Sequence, residues 1–298
     1  MTNAGRVIVV GDLIHDLLAK FDGPVALGTD TFTRIDARPG GSGANAAAWL
    51  GHLGVETHLL ARAGDDVFGR YLVGELERGG VTPHVSYDAA LETGKVFVLV
   101  DGAGERTMIT SRGASENLNP NDLPEALFQR ETHLHLSGYT FSGGTRRETA
   151  HRALHFARKA NMTVSIDPSS VPLLNDIGPE NFLRWTSGAD ICLPNREEGA
   201  LLAGTKDPDG IADALVRHYP TVVLKLGADG ALLADANGTR VHTPAASATV
   251  VDTTGAGDAL CAGFLAAWLG GAGSYEALKS GVNIASRVVG WLGGRPEV

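Results

Sequence analysis

A doubly wound, mostly parallel α/β core carrying a small β-sheet lid is the fold class this sequence predicts, and three observations carry it. Short apolar runs alternate with helix-length patterns, two β-rich stretches stand where helices should, and glycine-rich turns open two of the helices.

Val7 to Val10, followed by Gly11 and Asp12, reads as a buried strand ending in a turn. The same pattern returns at Thr57 to Ala61, His133 to Ser137, Thr163 to Asp167 and Ala189 to Leu193. Helical patterns lie between most of them, at Ala44 to Leu53, Val67 to Arg78, Thr145 to Ala160 and Ile211 to His218. That alternation is the mark of a parallel sheet covered on both faces. Thr31 to Ala37 alternates instead, and Lys95 to Asp101 with Thr107 to Ser111 forms two β-rich runs joined across Gly102 to Arg106, a hairpin signal. These strands are expected to pair as a small sheet inserted from about 12–40 and 91–113 into a single 1–298 domain, a candidate lid. Val222 to Leu226, Ala231 to Asp235 and Arg240 to Thr243 follow one another without helices, so that edge should be antiparallel. Two helices, Gly257 to Leu269 and Tyr275 to Leu292, complete the pattern.

The totals bound the function. With 298 residues, 43% apolar and 20% charged, the chain has ordinary globular composition. A net charge of -9 and a pI near 5.5 disfavour nucleic acid or an anionic membrane as the main partner. No window approaches the ~18 apolar residues of a membrane span and no leader pattern stands at the start, so a cytoplasmic location is expected. Cys192 and Cys261 each sit in apolar segments and read as buried reduced thiols. His133 and His135 alternate on one strand without a third ligand nearby, which reads as two polar strand positions rather than a metal site.

The chemistry concentrates in Asp252-Thr-Thr-Gly255-Ala256-Gly257-Asp258, between a β-branched run and an apolar helix. Gly255 and Gly257 let a ligand approach the backbone, and the N–H groups at the helix start form an anion site. A carboxylate there would repel a bound anion, yet it suits a general base that takes the proton of a substrate hydroxyl beside a transferred phosphoryl group. Read without that chemistry, Asp258 is a helix-start acid. This run resembles the C-terminal signature of the ribokinase-like (PfkB) carbohydrate kinases, and Gly40-Gly41-Ser42-Gly43-Ala44-Asn45 resembles their N-terminal signature, about two hundred residues earlier. The resemblance runs from the opening Val-Val-Gly-Asp to the closing Gly-Gly-Arg-Pro. It implies an ATP-dependent phosphotransferase with Mg²⁺, acting on a sugar or sugar-like alcohol bound between lid and core. Asp258 would be the base and the amides of Gly255, Ala256 and Gly257 the anion hole.

On the substrate side, Asp16 is expected just outside the end of the first strand, where open α/β sheets bind ligands. Asn45 offers donors and an acceptor to hydroxyls. The resemblance implies that Asp16, Gly41, Ser42 and Asn45 touch the sugar, and Ser137, at another strand end, supplies a further contact. Ribokinases proper often carry an acidic residue near that point, and Ile14 stands where a polar residue would help to read a small sugar; both departures weigh against ribose. Arg106 and Arg112 read as solvated hairpin cations that could otherwise meet a sugar acid.

On the nucleotide side, Asn195 and Glu198 share one side of a helix start and are metal candidates for Mg²⁺, although the same spacing makes a capping box. Lys225, Gly227 and Gly230 fall in a strand-end turn that resembles the family's nucleotide loop, where many members have a small hydroxyl residue in place of Lys225. Asn283 matches a position near adenine. Asp252 with the Thr254 backbone resembles half of a K⁺ site, the other half lying around Val288 to Gly294. The two-sided apolar lid predicts a homodimer, in which lids of neighbouring subunits cover each other. The substrate stays open among sugar, sugar acid and nucleoside, an adenosine-type kinase being the alternative. A dinucleotide-binding oxidoreductase is the outside rival, since Gly41-x-Gly43-x-x-Ala46 with Asp65 fits a relaxed fingerprint, but that fingerprint should follow the first core strand. No Walker motif occurs.

Overall fold

The computed structural model describes residues 5–21, 23–101 and 106–296. The turn at 102–105 and the side chain of Arg106 lie outside the described residues. In chain order the strands are β1 (Arg6–Val10), β2 (Ile14–Lys20), β3 (Ile35–Gly40), β4 (Thr57–Gly64), β5 (Val81–Asp88), β6 (Thr93–Val100), β7 (Arg106–Gly113), β8 (Thr132–Ser137), β9 (Thr163–Asp167), β10 (Ile191–Cys192), β11 (Thr221–Lys225), β12 (Ala231–Asp235) and β13 (Arg240–Thr243). The α-helices are α1 (Ser42–His52), α2 (Val67–Arg78), α3 (Gly144–Lys159), α4 (Val171–Ile177), α5 (Pro179–Trp185), α6 (Arg196–Ala203), α7 (Pro208–Leu215), α8 (Ala256–Leu269) and α9 (Ser274–Val288).

Nine strands form the central sheet in the order β13-β12-β11-β10-β9-β8-β1-β4-β5, parallel except at the β11-β12-β13 edge. Alternation along β1 shows why it is double-faced. Val7 and Val9 pack with α1, α2, α8 and α9 on one side, whereas Ile8 and Val10 pack with α3 to α7 on the other. Chain order runs one way from β1 through β4 to β5 and the other way from β8 to β11, so a topological switch point falls between β1 and β8.

The second sheet has the order β3-β2-β6-β7. Its central strand, β2, is absent from the sequence reading, which expected a strand at Thr31 to Ala37 to pair directly with the hairpin. Instead the strand begins at Ile35, and β2 separates β3 from β6. The segment Ile-His-Asp-Leu-Leu-Ala-Lys has little β-propensity, and pairing on both sides overrides it. The edge strand β5 is a second departure from the sequence pattern: Pro83 reads against a strand, but an edge tolerates it, since β5 pairs with β4 alone. The helix expected to run to Leu292 ends at Val288, and Gly290, Gly293 and Gly294 belong to the loop that follows. Among the described residues no helix is long and apolar enough to cross a membrane.

Candidate active site

The carboxyl ends of adjacent parallel strands deliver most of the site. Asp12 follows β1, Tyr139 follows β8, Asp167 ends β9, Asn195 follows β10 and Lys225 ends β11. In-register pairing sets Ser137 opposite Asp167 and Asn195 opposite Lys225. Together with the lid and the α1 and α8 starts they enclose a cavity of about 510 Å³. A second cavity of about 530 Å³ adjoins it, lined by the 227–230 turn, the 245–250 segment and one face of α9. Lys225, Gly227, Thr253, Ala256 and Gly257 line both, so the two meet at the start of α8.

That junction is built by close backbone contact. Gly255 has φ +72°, and a side chain there would strike the Cα of Gly294 at 2.3 Å. A Cβ on Gly11 would come within 2.7 Å of the Cα of Gly43, so α1 is pressed directly onto the end of β1. The two glycine signatures therefore converge, and Asp258 of α8 meets α1. Ser42 Oγ donates to Asp258 Oδ1 at 2.9 Å and Asn45 Nδ2 donates to Oδ2 at 3.0 Å. Burial raises the Asp258 carboxyl to about 7, the nearby Asp167 charge pushes the same way, and the two hydrogen bonds and Lys225 oppose them. A carboxylate near neutrality, oriented on both oxygens, is suited to accept a proton.

The expected anion hole is narrower than the sequence suggested. The N–H of Ala256 is taken by the Thr253 carbonyl at 3.3 Å, and the amide of Gly257 lies in the first turn, where no intrahelical acceptor exists. Lys225 Nζ stands within 3.4 Å of where a Gly257 Cβ would be, and it donates to Asp167 Oδ2 at 2.7 Å. Burial alone would raise Asp167, but the ammonium outweighs it and holds this carboxylate low, while Asp167 raises Lys225. Cys261 lies beside the pair, with Sγ 3.3 Å from Asp167 Oδ2, and both cysteines are buried free thiols.

Asp16 is carried by the lid strand β2, not by a loop after β1. Burial raises it to about 7, with Arg295 opposing. Arg295 Nε donates to Asn45 Oδ1 at 3.1 Å and Nη2 to the Gly40 carbonyl at 2.7 Å, so this arginine props the substrate loop from behind. Arg112 is not a solvated hairpin cation: its guanidinium sits 3.9 Å from the Tyr139 ring centroid and 3.4 Å from Asp12 Oδ2. The alternation of β7 turns it inward, a direction that composition alone could not give.

Asn195 and Glu198 form the capping box. The Asn195 N–H donates to Glu198 Oε2 at 2.9 Å, its Nδ2 to Oε1 at 2.8 Å, and the Glu198 N–H to Asn195 Oδ1 at 2.8 Å. Both residues also line the main cavity, and burial raises Glu198 to about 7. Among the described residues no group of three or more His, Cys, Asp or Glu could hold a metal. The oxygen donors here suit an ion that keeps waters and leans on substrate phosphates, as Mg²⁺ does.

Of the remaining expectations, Gly41, Ser42, Asn45 and Thr254 line the first cavity and Gly230 the second. Ser137 is buried one layer below, bonded to Ser169, and it is Ser169 that lines the cavity. Asn283 is exposed and outside both linings, because the cavity face of α9 is Val282, Ala285, Ser286 and Val289. Asp252 accepts from the N–H and Oγ1 of Thr254 and from the Gly293 N–H at 3.0 Å, joining the two segments expected at the K⁺ site. His133 and His135 are buried in hydrogen bonds to Thr163 and Ser165. Sequence reasoning misses Asp12, Asp167 and Arg295 and reaches Tyr139 only through the strand-end run Ser137-Gly138-Tyr139. For Asp12 and Asp167 the readable signal is the same position, the end of a parallel core strand.

A family model described as "pfkB family carbohydrate kinase" matches residues 4–297. A fructokinase of Klebsiella pneumoniae is 34% identical over 272 residues, covering 88% of this chain and 84% of that protein. An ATP-dependent ribose-1-phosphate kinase of Halopiger xanaduensis is 33% identical, covering 89% and 85%. Among solved structures, aminoimidazole riboside kinase from Salmonella enterica, complexed with aminoimidazole riboside and an ATP analog, superposes with TM-score 0.80 at 28% identity over 97% of this chain and 95% of that one. An adenosine kinase from Sinorhizobium meliloti superposes with TM-score 0.90 at 24% identity over 99% and 97%, a likeness of fold.

Proposed function

The chain belongs to the pfkB family of carbohydrate kinases, phosphotransferases with an alcohol acceptor, and we propose that Asp258 is its general base, with the acceptor alcohol in the 510 Å³ cavity and ATP in the 530 Å³ cavity. One observation carries this reading: a carboxylate raised to about 7, fixed by Ser42 and Asn45, at the helix start where the two cavities meet.

Asp16 and Asn45 hold acceptor hydroxyls, with Gly41 and Ser42 shaping the loop. Asp258 takes the hydroxyl proton as the oxygen attacks the γ-phosphorus. The N–H of Gly257 and the ammonium of Lys225 face the transferred group and stabilise its charge. Lys225, Gly227, Gly230 and Thr254 line the path of the nucleotide, whose base fits the apolar slot beside α9. Mg²⁺ would be held near Asn195 and Glu198, and when bound it supplies charge neutralisation on the phosphate oxygens. Asp252 with the Thr254 backbone and the loop around Val288 to Gly294 is the proposed K⁺ position. The protein acts as a homodimer through its lids and works in the cytoplasm. The test is ADP release with Mg-ATP across neutral sugars, sugar acids and nucleosides; absence of acceptor-dependent ADP release would refute the assignment.

A further inference from the structure

The acceptor cavity is lined by surfaces of sharply different chemistry. Register places Asp16 beside Val96 and Val96 beside Thr110, while Val98 stands opposite Met108, so one lid face presents Ile14, Val96, Val98 and Met108 as a continuous apolar roof. Its polar groups are Asp16, Thr110 and, at the far end of β7, Arg112. The floor is the reverse: Ser42, Asn45 and Asp258 are polar and already mutually oriented. The side wall is the Tyr139 ring with the Arg112 guanidinium on its face.

Charge narrows the acceptor first. Arg112 is compensated by Asp12, Lys225 by Asp167, and Arg295 is committed to Asn45 and Gly40 beside Asp16. The lining cations Arg112, Arg196 and Lys225 are each paired with a carboxylate, whereas Arg146, behind Arg112, keeps Nε and Nη1 unpartnered and Arg295 keeps Nη1 unpartnered. The groups that face the acceptor directly are Asp16 and Asp258, so a carboxylate or phosphate placed against them would be repelled at contact distance. An uncharged acceptor avoids that contact.

The roof narrows it further. A free sugar carries hydroxyls around its whole ring, and those turned to Ile14, Val96, Val98 and Met108 would lose water without gaining a partner. A planar heteroaromatic ring has the opposite property: its faces are apolar and polarisable, and its hydrogen-bonding groups lie on its edge. Met108 lines the cavity yet stays 53% exposed, so the roof overhangs the opening, where the edge of such a ring would reach water.

We propose that the acceptor is a neutral ribonucleoside. Its ribose hydroxyls lie on Asp16 and Asn45, its hydroxymethyl group at Asp258, and its base under the lid between the Val96, Val98 and Met108 roof and the Arg112–Tyr139 wall. This rests on the kinase assignment above. The 5′ hydroxyl gives its proton to Asp258, its oxygen forms a bond to the γ-phosphorus, and the bond from that phosphorus to the β,γ-bridging oxygen breaks. ADP leaves with the electron pair, and the product is a nucleoside 5′-monophosphate.

The experiment compares kcat/KM of the full chain with Mg-ATP for adenosine, guanosine, cytidine and uridine against ribose, fructose and 2-dehydro-3-deoxygluconate. Ribose is the nucleoside without its base, so the ratio reads the roof and wall directly. At least one ribonucleoside should exceed ribose about 100-fold, the scale of one base stacked on side chains. Met108→Ala, at a half-exposed position that folding tolerates, should shrink that ratio severalfold. A ratio untouched by Met108→Ala would overturn the base placement. If a sugar or the sugar acid equals or beats every nucleoside, the nucleoside proposal falls and the kinase assignment stands. No acceptor-dependent ADP release with any compound would remove both.

Discussion

The strand ends of the core and the lid above them solve opposite problems. The core edge keeps charge buried: Asp167 with Lys225, Asn195 with Glu198 and Asp258 with Ser42 and Asn45 are paired or hydrogen-bonded before any ligand arrives. The lid keeps apolar surface on both faces, with Val96 and Val98 toward the cavity and Phe97 and Ile109 outward, 44% and 58% exposed. Preorganised dipoles in a dry site are where transition-state stabilisation comes from. A thin four-stranded sheet is suited to recognise and cover. Chemistry should therefore fail through the core edge, and selectivity and assembly through the lid.

The sharpest way to break that division is Asp258→Asn. Turnover should fall by ~10²–10⁴, with nucleotide affinity nearly unchanged, because the amide keeps the shape and both hydrogen-bonded neighbours but not the basicity. A variant with wild-type kcat would show that the buried carboxylate only orders α1 against α8. The same change should stabilise the ligand-free protein above neutral pH, where the wild type must hold a charge that burial resists.

Lys225 tests whether the core edge is organised as pairs. Lys225→Met leaves Asp167 buried without its cation, and breaking such a pair costs about 3–5 kcal/mol. The double variant Lys225→Met with Asp167→Asn should recover much of the thermal stability and little of the kcat. Recovery of both would make Lys225 purely structural, and recovery of neither would uncouple the two side chains.

How much of this could be read beforehand follows the same division. The core was legible because apolar runs such as Val7 to Val10, their alternation with helical patterns and the two glycine signatures are local patterns, and the residues of the junction carry those signatures. The central lid strand was not, because Ile14–Lys20 is a strand only by virtue of its neighbours on both sides. Asp16 is therefore expected in a loop beyond β1 and lies within β2 instead. Arg295 props Asn45 from 250 positions away, and nothing local to Gly-Gly-Arg-Pro reveals that contact. The Asn283 expectation fell to a helical angle: a shift of one residue turns a side chain by about 100°, enough to leave the cavity face.

Between these regions the pH response gives a graded test. Asp258, Asp16 and Glu198 are each raised to about 7 from ordinary values of 3.8 to 4.5, burial being the first cause in all three. A raised folded value means that their stabilising share is complete below the ordinary value and is lost as pH climbs through about 7. Activity runs the other way, since a base must be ionised: kcat/KM should rise about tenfold per pH unit below 7 and then level off. Thermal melts of the ligand-free protein and the kcat/KM profile should thus slope in opposite directions between about pH 5 and 7. Parallel slopes would mean that Asp258 is ionised throughout and that another group limits the rate.

The smallest effect concerns the outer lid face, which is only partly bare. His15 packs against Phe68 with ring centroids 4.7 Å apart and tilted planes, and Lys95 lies over the same ring, so α2 covers one end of the sheet. The other end, where Phe97 pairs with Ile109 across the β6–β7 hairpin, has no such cover among the described residues. A second lid brought against that end would bury both side chains by the same symmetric contact in each protomer. Phe97→Glu sets a charge at the proposed centre of the contact while leaving Val96 and Val98, which point the other way, in place. Light scattering should give twice the chain mass for the wild type and a concentration-dependent shift toward the monomer for the variant. Acceptor KM should rise a few-fold as the lid loses its support, and kcat should barely move, because Asp258 with Ser42 and Asn45, and Asp167 with Lys225, are set without the lid. A wild-type monomer at tens of micromolar would remove the dimer, and a collapse of kcat in Phe97→Glu would show that the core edge depends on the lid after all.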